Sequence, residues 1–312
     1  MKGKFIFLMF FLAVFQWGLA QKRDINVTYK VNNDKSVTFF YEKDVPGTYL
    51  INVELTQLSN SIDARNYQVL AKDYSGQLFT LRPQDDKKGI GFAYSVRYIR
   101  GNPKAKADEN IVYALPFDTG KNITVYEAQN VGEKYLGSEK PQNWKSFVVN
   151  TKEPETMYAM RRGVVVKVVD KYENDPNIKL KYTSKRNSIL IEHPDGTYAE
   201  YEGFNKNQIF VKLGQEVYPH TPLGKSDRFN DGYRSDFCVY HFLPSYSDRA
   251  PRNMKNKNRD IFFVDPLFLV NGEKKHLKNA ESYEVDFNED LKLQEFSKRE
   301  KKRYKKNPED FK

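Results

Sequence analysis

The chain is nearly without cysteine: Cys238 is the single one in 312 residues. No intrachain disulfide can form, so packing alone must hold the fold. Histidine is almost as scarce, and His193, His220, His241 and His276 are all there are. A metal centre built on several imidazoles has few ligands to draw on. Glycine and proline are modest, at 17 and 14 residues, while aromatic residues reach 14%. That balance excludes a low-complexity chain and favours strands over disorder. A long helical period is missing before residue 288, and no apolar run is long enough, with suitable flanks, for a secure membrane span.

The apolar run that does occur opens the chain. Lys2 and Lys4 precede an apolar core from Phe5 to Trp17. Gly18 and Ala20 then put small residues at the −3 and −1 positions before Gln21. Residues 1–20 are read as a signal peptide, with a retained N-terminal anchor as the alternative. The expected location is outside the cytoplasm, in the periplasm or cell envelope. No cysteine stands near the cleavage point for a lipid anchor. The formal charge of +10, less Lys2 and Lys4, leaves +8 on the exported form. Such a chain suits an anionic wall polymer or membrane surface. Nucleic acid is not among the expected partners.

The remaining residues, about 290, suffice for two domains. Residues 21–117 alternate apolar and polar positions in short runs, from Ile25, Val27, Tyr29 and Val31 to "GFAYSVRYI" and "IVYALPF". Turn signals at Pro46-Gly47, Ser75-Gly76 and Asn102-Pro103 separate them. This pattern predicts an immunoglobulin-like β-sandwich without its disulfide. Residues 118–275 are also strand-rich. "GVVVKVVD" is a buried strand, and "NSILIEH" and "TYAEYEGF" flank a turn at His193-Pro194-Asp195-Gly196. The fold class is all-β, closed by residues 276–312, a basic tail with a short charged helix. The tail is expected to be solvated, with a weak contact to wall polymer, membrane lipid or a partner as the sharper reading.

Five segments of residues 115–270 resemble, in order, the lysostaphin/LytM-type zinc endopeptidases that cut bacterial wall cross-links. "MYAMRRGVVVKVVD" is similar to that family's "pVyAardGvVv", and "NSILIEHPDGTYAEYEGF" to its "N.v.IeHpDGtya.Y.Hl". "VKLGQEVYPHTPLGKS" resembles "Vk.Gq.V..Gq.iG.sG", "CVYHF" stands where the family has "pHLHF", and "VDPLFL" resembles its closing segment. The resemblance implies a LytM-like β-sheet domain with a groove above the sheet.

The resemblance also implies a zinc held by a histidine and an aspartate of one segment and the second histidine of H-x-H. Two further histidines, in "Y.H" and first in H-x-H, assist. Such a site needs three N, O or S donors and an open water position. Residue by residue, the set is degenerate here. The H-x-H pair falls on Val239 and His241, and the "Y.H" histidine on Gly203. In "GSEKPQNWKSFVV", the histidine falls on Glu139 and the aspartate on Val148. An alternative register puts Trp144 at the histidine and keeps Val148. His241 is read as a remnant ligand and Glu139 as a weak one, while Tyr201, Glu202 and Tyr240 are groove candidates.

A relocated metal site could draw on Glu202, His220, Asp227 and Asp236. His193 is read as structural, His276 as exposed, and Cys238 as a small apolar residue facing away from His241. The leading functional reading is a catalytically inactive relative that binds peptidoglycan or an envelope protein and regulates a hydrolase, with no cofactor. The alternatives are an active zinc endopeptidase with an unusual ligand set, and a purely structural envelope protein.

Overall fold

The structure is a computed structural model, and it describes residues 24–129, 143–173, 183, 185–243 and 261–311. It is all-β, with helix confined to the last 24 of those residues. Six strands between Ile25 and Arg100 make two three-stranded antiparallel sheets. Ile25–Val31, Val37–Lys43 and Ser75–Leu81 form one, and Asn66–Ala71, Tyr49–Ser59 and Gly91–Arg100 the other. Their inward-facing side chains, among them Phe39, Ile51, Val53, Leu55 and Leu81, close a core of their own. Alternation puts these residues on one face of each strand.

The run "IVYALPF", expected to close this sandwich, does something else. Val112–Ala114 pairs in parallel with Leu267–Val270, far along the chain. Tyr113, Leu115 and Phe117 enter the core of the second domain. Six strands thus share the first core, and residues 112–117 contribute to the second.

The second domain is organised on one long sheet. Its strands run in the order Glu216–Val217, Gly163–Val169, Asn187–Glu192, Tyr198–Ile209, Gly232–Phe242, Phe147–Thr151, Asn122–Glu127 and Glu281–Glu284. One face carries Val165, Ile189, Ile191, Ala199, Tyr201, Phe237 and Val239 into the main core. Thr156–Tyr158 and Pro222–Ser226 pair with each other and cover that face through Met157 and Leu223. The opposite face presents Leu190, Tyr198, Cys238 and Tyr240.

The two domains touch at that opposite face. The Thr48 amide donates to Glu192 Oε2 at 2.7 Å, and Arg100 Nη1 donates to the Val166 carbonyl at 2.9 Å. Gly47 has φ +87° and lies so close to Val166 and Glu192 that a Cβ would collide with both. Glycine is needed there for both the backbone and the close approach.

The basic tail is not the solvated segment expected. Leu277, Tyr283 and Val285 are buried in the main core, and Glu281–Glu284 completes the edge of the long sheet. Beyond it, Phe296 and Phe311 pack on Tyr218. Two short helices connect these contacts. Glu289–Leu293 is capped by the Asn288 side chain, and Lys298–Lys306 by a capping box of Ser297 and Glu300. Buried Arg161 locks the tail in place. Its Nε and Nη2 donate to Glu295 at 3.0 and 2.7 Å, and its Nη1 donates to Asp195 at 2.8 Å and the Tyr113 hydroxyl at 3.0 Å.

Candidate functional site

Strand register decides which of the candidate residues can meet. Glu202 stands opposite Asp236, Glu200 opposite Cys238 and Tyr198 opposite Tyr240. Val148 pairs with Asp236 from the other side. Cross-strand partners share a face, so Val148, Glu200, Glu202, Asp236, Cys238 and Tyr240 form one floor. That floor is the sheet face away from the main core.

The expected H-x-H pair lies on the other side. Val239 is buried in the main core at 1% exposure. His241 follows on the same face, half-buried beyond the covered region, with its ring 5.3 Å from Phe262. Its Nδ1 is 3.1 Å from the Phe242 carbonyl. Tyr201 also faces the core, where its hydroxyl accepts from the Met160 amide at 2.8 Å. Val239, His241 and Tyr201 are thus separated by the sheet from Glu202 and Tyr240. A shift of register by one residue exchanges faces, and five residues of sequence could not reveal which side chains turn into the core.

Gly203 sits at a β-bulge, where Asn187 opposes Phe204 and Ser188 opposes Glu202. Its φ is +98°, and a Cβ there would strike the Arg234 carbonyl and Arg186 Nη2. The backbone, and not only the side chain, therefore excludes histidine at this position.

The polar end of the floor is filled by a cation that the sequence reading missed. Arg186 Nη1 pairs with Asp236 and lies 3.3 Å from Glu202 Oε2. Arg234 Nε donates to Asp236 Oδ1 at 2.9 Å. Burial pulls the Arg186 guanidinium down to about 10, with Glu202 opposing, so it stays charged at neutral pH. Next along the floor, burial pushes Glu200 up to about 7, helped by Glu202 and opposed by Lys167. Burial also raises the Cys238 thiol well above its usual range, which keeps it a protonated, unreactive group. Arg186 carried no motif; only its position beside the bulge gives it a role.

The remaining candidates are dispersed. His220, at φ +69°, is stacked between Tyr158 and Phe287 at 4.3 and 4.7 Å. The Asp227 amide donates to the Gly203 carbonyl at 2.7 Å, so Asp227 borders the bulge. His193 is buried in its hairpin turn with Nδ1 donating to the Arg162 carbonyl at 2.7 Å. Burial, with Arg161 nearby, lowers its pKa to about 3. His276 is exposed, 3.7 Å from Asp265. Glu139 lies outside the described residues.

Trp144 is not near the floor's charges but beside Phe263, with ring centroids 4.7 Å apart, and its Nε1 donates to the Ala128 carbonyl at 2.7 Å. A cleft of about 660 Å³ opens there, lined by Trp144, Lys145, Phe262, Phe263, Asp265 and His276 among others.

The zinc implied by the resemblance does not fit this donor set. Val148 offers no lone pair, Gly203 has no side chain, and Asp236 is committed to two arginines. Among the described residues, no three His, Cys, Asp or Glu side chains are placed to hold a metal ion.

No family model matches the sequence, and no curated protein matches it either. Solved structures with similar folds do exist. Pseudoalterin, an M23 metalloprotease from the deep sea, is 15% identical over 54% of this chain and 95% of its own, at a TM-score of 0.30. A zinc-containing peptidase from Vibrio cholerae is 14% identical, covering 69% of this chain and 74% of its own, at 0.25. A chain of the SpoIIQ–SpoIIIAH pore-forming complex is 18% identical over 46% of this chain and 99% of its own, at 0.27. These are likenesses of fold, and they assign no activity, ligand or partner to this protein.

Proposed function

We propose that this is an envelope protein whose LytM-like groove binds its ligand without hydrolysing it. The observation that supports this most is the Arg186–Asp236–Glu202 cluster on the sheet face away from the main core. A fixed guanidinium there supplies positive charge but no open coordination position and no acidified water. The acids around it are already neutralised, so a divalent cation would have to displace Arg186 first.

What remains is a binding surface. Trp144 and Phe263 pack with Tyr240 and Cys238 at the apolar end of that face, and the cleft beside them has a mixed aromatic and charged lining that suits a peptide. The ligand class is peptidoglycan or a peptide segment of an envelope protein, and binding would regulate a hydrolase that this chain accompanies.

Metal analysis and an assay on purified peptidoglycan test the reading together. The expected result is no stoichiometric zinc and no cleavage, with zinc added or not, and retention on insoluble peptidoglycan or an envelope protein that Trp144→Ala weakens. One zinc per chain accompanied by hydrolysis would sink it.

A further inference from the structure

The helix Lys298–Lys306 reads KREKKRYKK and buries no residue. It is nevertheless fixed on the body. Glu300 Oε1 accepts from Arg162 Nη2 at 2.6 Å, and the Tyr304 ring meets Phe296 and Phe311 edge-on at 5.9 and 5.8 Å. At about 100° per residue, Glu300 and Tyr304 share the side that faces the body. Lys298, Lys302 and Lys306 then point away from it, within about 40° of the opposite direction, flanked by Arg299 and Lys305 at about 60°, while Lys301 lies to the side. All six are exposed. The fold thus holds five cations outward on a helix about 13 Å long, with Lys301 at its side.

Exposed apolar side chains stand across a cleft whose lining includes Tyr74, Gly214, Glu216 and Glu300. Phe210 is 50% exposed, Leu213 52% and Tyr74 57%. A Cβ on Gly214 would lie 3.3 Å from the Tyr74 hydroxyl, so the loop 210–214 and Tyr74 adjoin. Exposed Lys212 and Lys72 accompany them. One guanidinium joins the strand that follows this loop to the helix: Arg162 Nη2 donates to both Glu216 and Glu300 at 2.6 Å.

We propose that this face docks on an anionic phospholipid bilayer, with the helix cations on the headgroups and Phe210, Leu213 and Tyr74 at the headgroup layer. Charge alone would fit any polyanion. A bilayer also accepts apolar side chains beside the cations, which a hydrated wall polymer or nucleic acid does not reward. Each lysine near such a surface is worth roughly fivefold in partitioning, and salt weakens it.

The test is sedimentation of the chain starting at Gln21, the form the export signal predicts, with two kinds of vesicle. One is phosphatidylcholine alone, and the other carries about 30% phosphatidylglycerol. Two variants accompany it. The first combines Lys298→Ala, Lys302→Ala, Lys305→Ala and Lys306→Ala, which keeps helix propensity. The second combines Phe210→Ser and Leu213→Ser. The parent chain should sediment only with the anionic vesicles at about 0.05 M salt and detach near 0.5 M. The lysine variant should lose at least about tenfold in partitioning, since four cations are removed. The loop variant should lose several-fold with its salt dependence unchanged. Three results would overturn the proposal: no sedimentation at low salt, parent-like binding by the lysine variant, or capture by an anionic wall polymer or DNA while vesicles stay free.

Discussion

Glu295 gives the sharpest test of how this chain is held together. A solvated basic tail would tolerate its replacement within about 0.5 kcal/mol, as surface positions do. In the structure its carboxylate accepts two hydrogen bonds from Arg161, whose side chain is only 1% exposed. Burial opposes the Arg161 charge, but Glu295 and Asp195 hold its pKa above the ordinary arginine value. Glu295→Leu leaves that guanidinium buried with Asp195 and the Tyr113 hydroxyl as remaining partners. Removing one side of a buried pair costs about 3–5 kcal/mol, and the surviving Asp195 contact places this case near the lower end, at about 3. Arg161→Met should cost more, because it strands both carboxylates. The double variant Arg161→Met/Glu295→Leu should cost clearly less than the two single effects added. Urea unfolding followed by fluorescence reports on the second domain, because Trp144 is the only tryptophan after Trp17. A Glu295→Leu loss below about 0.5 kcal/mol, or strict additivity in the cycle, would refute the buried-lock reasoning.

The remaining predictions concern the sheet face away from the main core and the hairpin. Glu200 has a folded pKa of about 7 against an ordinary 4.5, so its neutral form is favoured by folding. Its contribution is present below pH 4.5 and lost as pH rises through 7. Glu200→Gln should therefore stabilise at pH 8 by up to about 3 kcal/mol, and the gain should vanish by pH 4.5; a pH-independent effect in denaturant titrations would contradict this. His193 has the opposite sign, because its folded pKa near 3 lies below the ordinary 6.5. Its neutral form stabilises above pH 6.5, and about 2 kcal/mol of that is lost by pH 5, readable as a stability drop in the Glu200→Gln background. Gly203→Ala should destabilise by at least about 2 kcal/mol, because φ +98° and the Arg234 carbonyl leave no room for a Cβ. Gly203→His should then fail to create zinc affinity, as metal analysis of any folded fraction would show.

Much of the fold could be read from the sequence. The alternating runs from Ile25 to Ala114 are strands where the pattern placed them, though the last joins another sheet, and the His193–Gly196 turn joins Asn187–Glu192 to Tyr198–Ile209 as the hairpin pattern required. The site was harder. Its residues were identified along the strands, but the face each one occupies depends on register against neighbours distant in sequence. The family motif puts Val239 and His241 on one face of their strand, and pairing with Tyr198–Ile209 turns that face into the main core while Asp236, Cys238 and Tyr240 take the other.

The sequence by itself determined local matters: the strand periodicity, the turn chemistry, the want of a disulfide and the absence of a carboxylate at Val148. Each of these depends on neighbouring residues or on composition, and needs no long-range contact. The tertiary structure decided the rest. Val112–Ala114 left the first module because its partner strand lies at Leu267–Val270. The tail became part of the core because Arg161 needed Glu295, more than 130 residues away. Arg186 gained its place over Asp236 only through a bulge at Gly203. Buried charges must find partners wherever the chain supplies them, and that demand cannot be read from any short stretch of sequence.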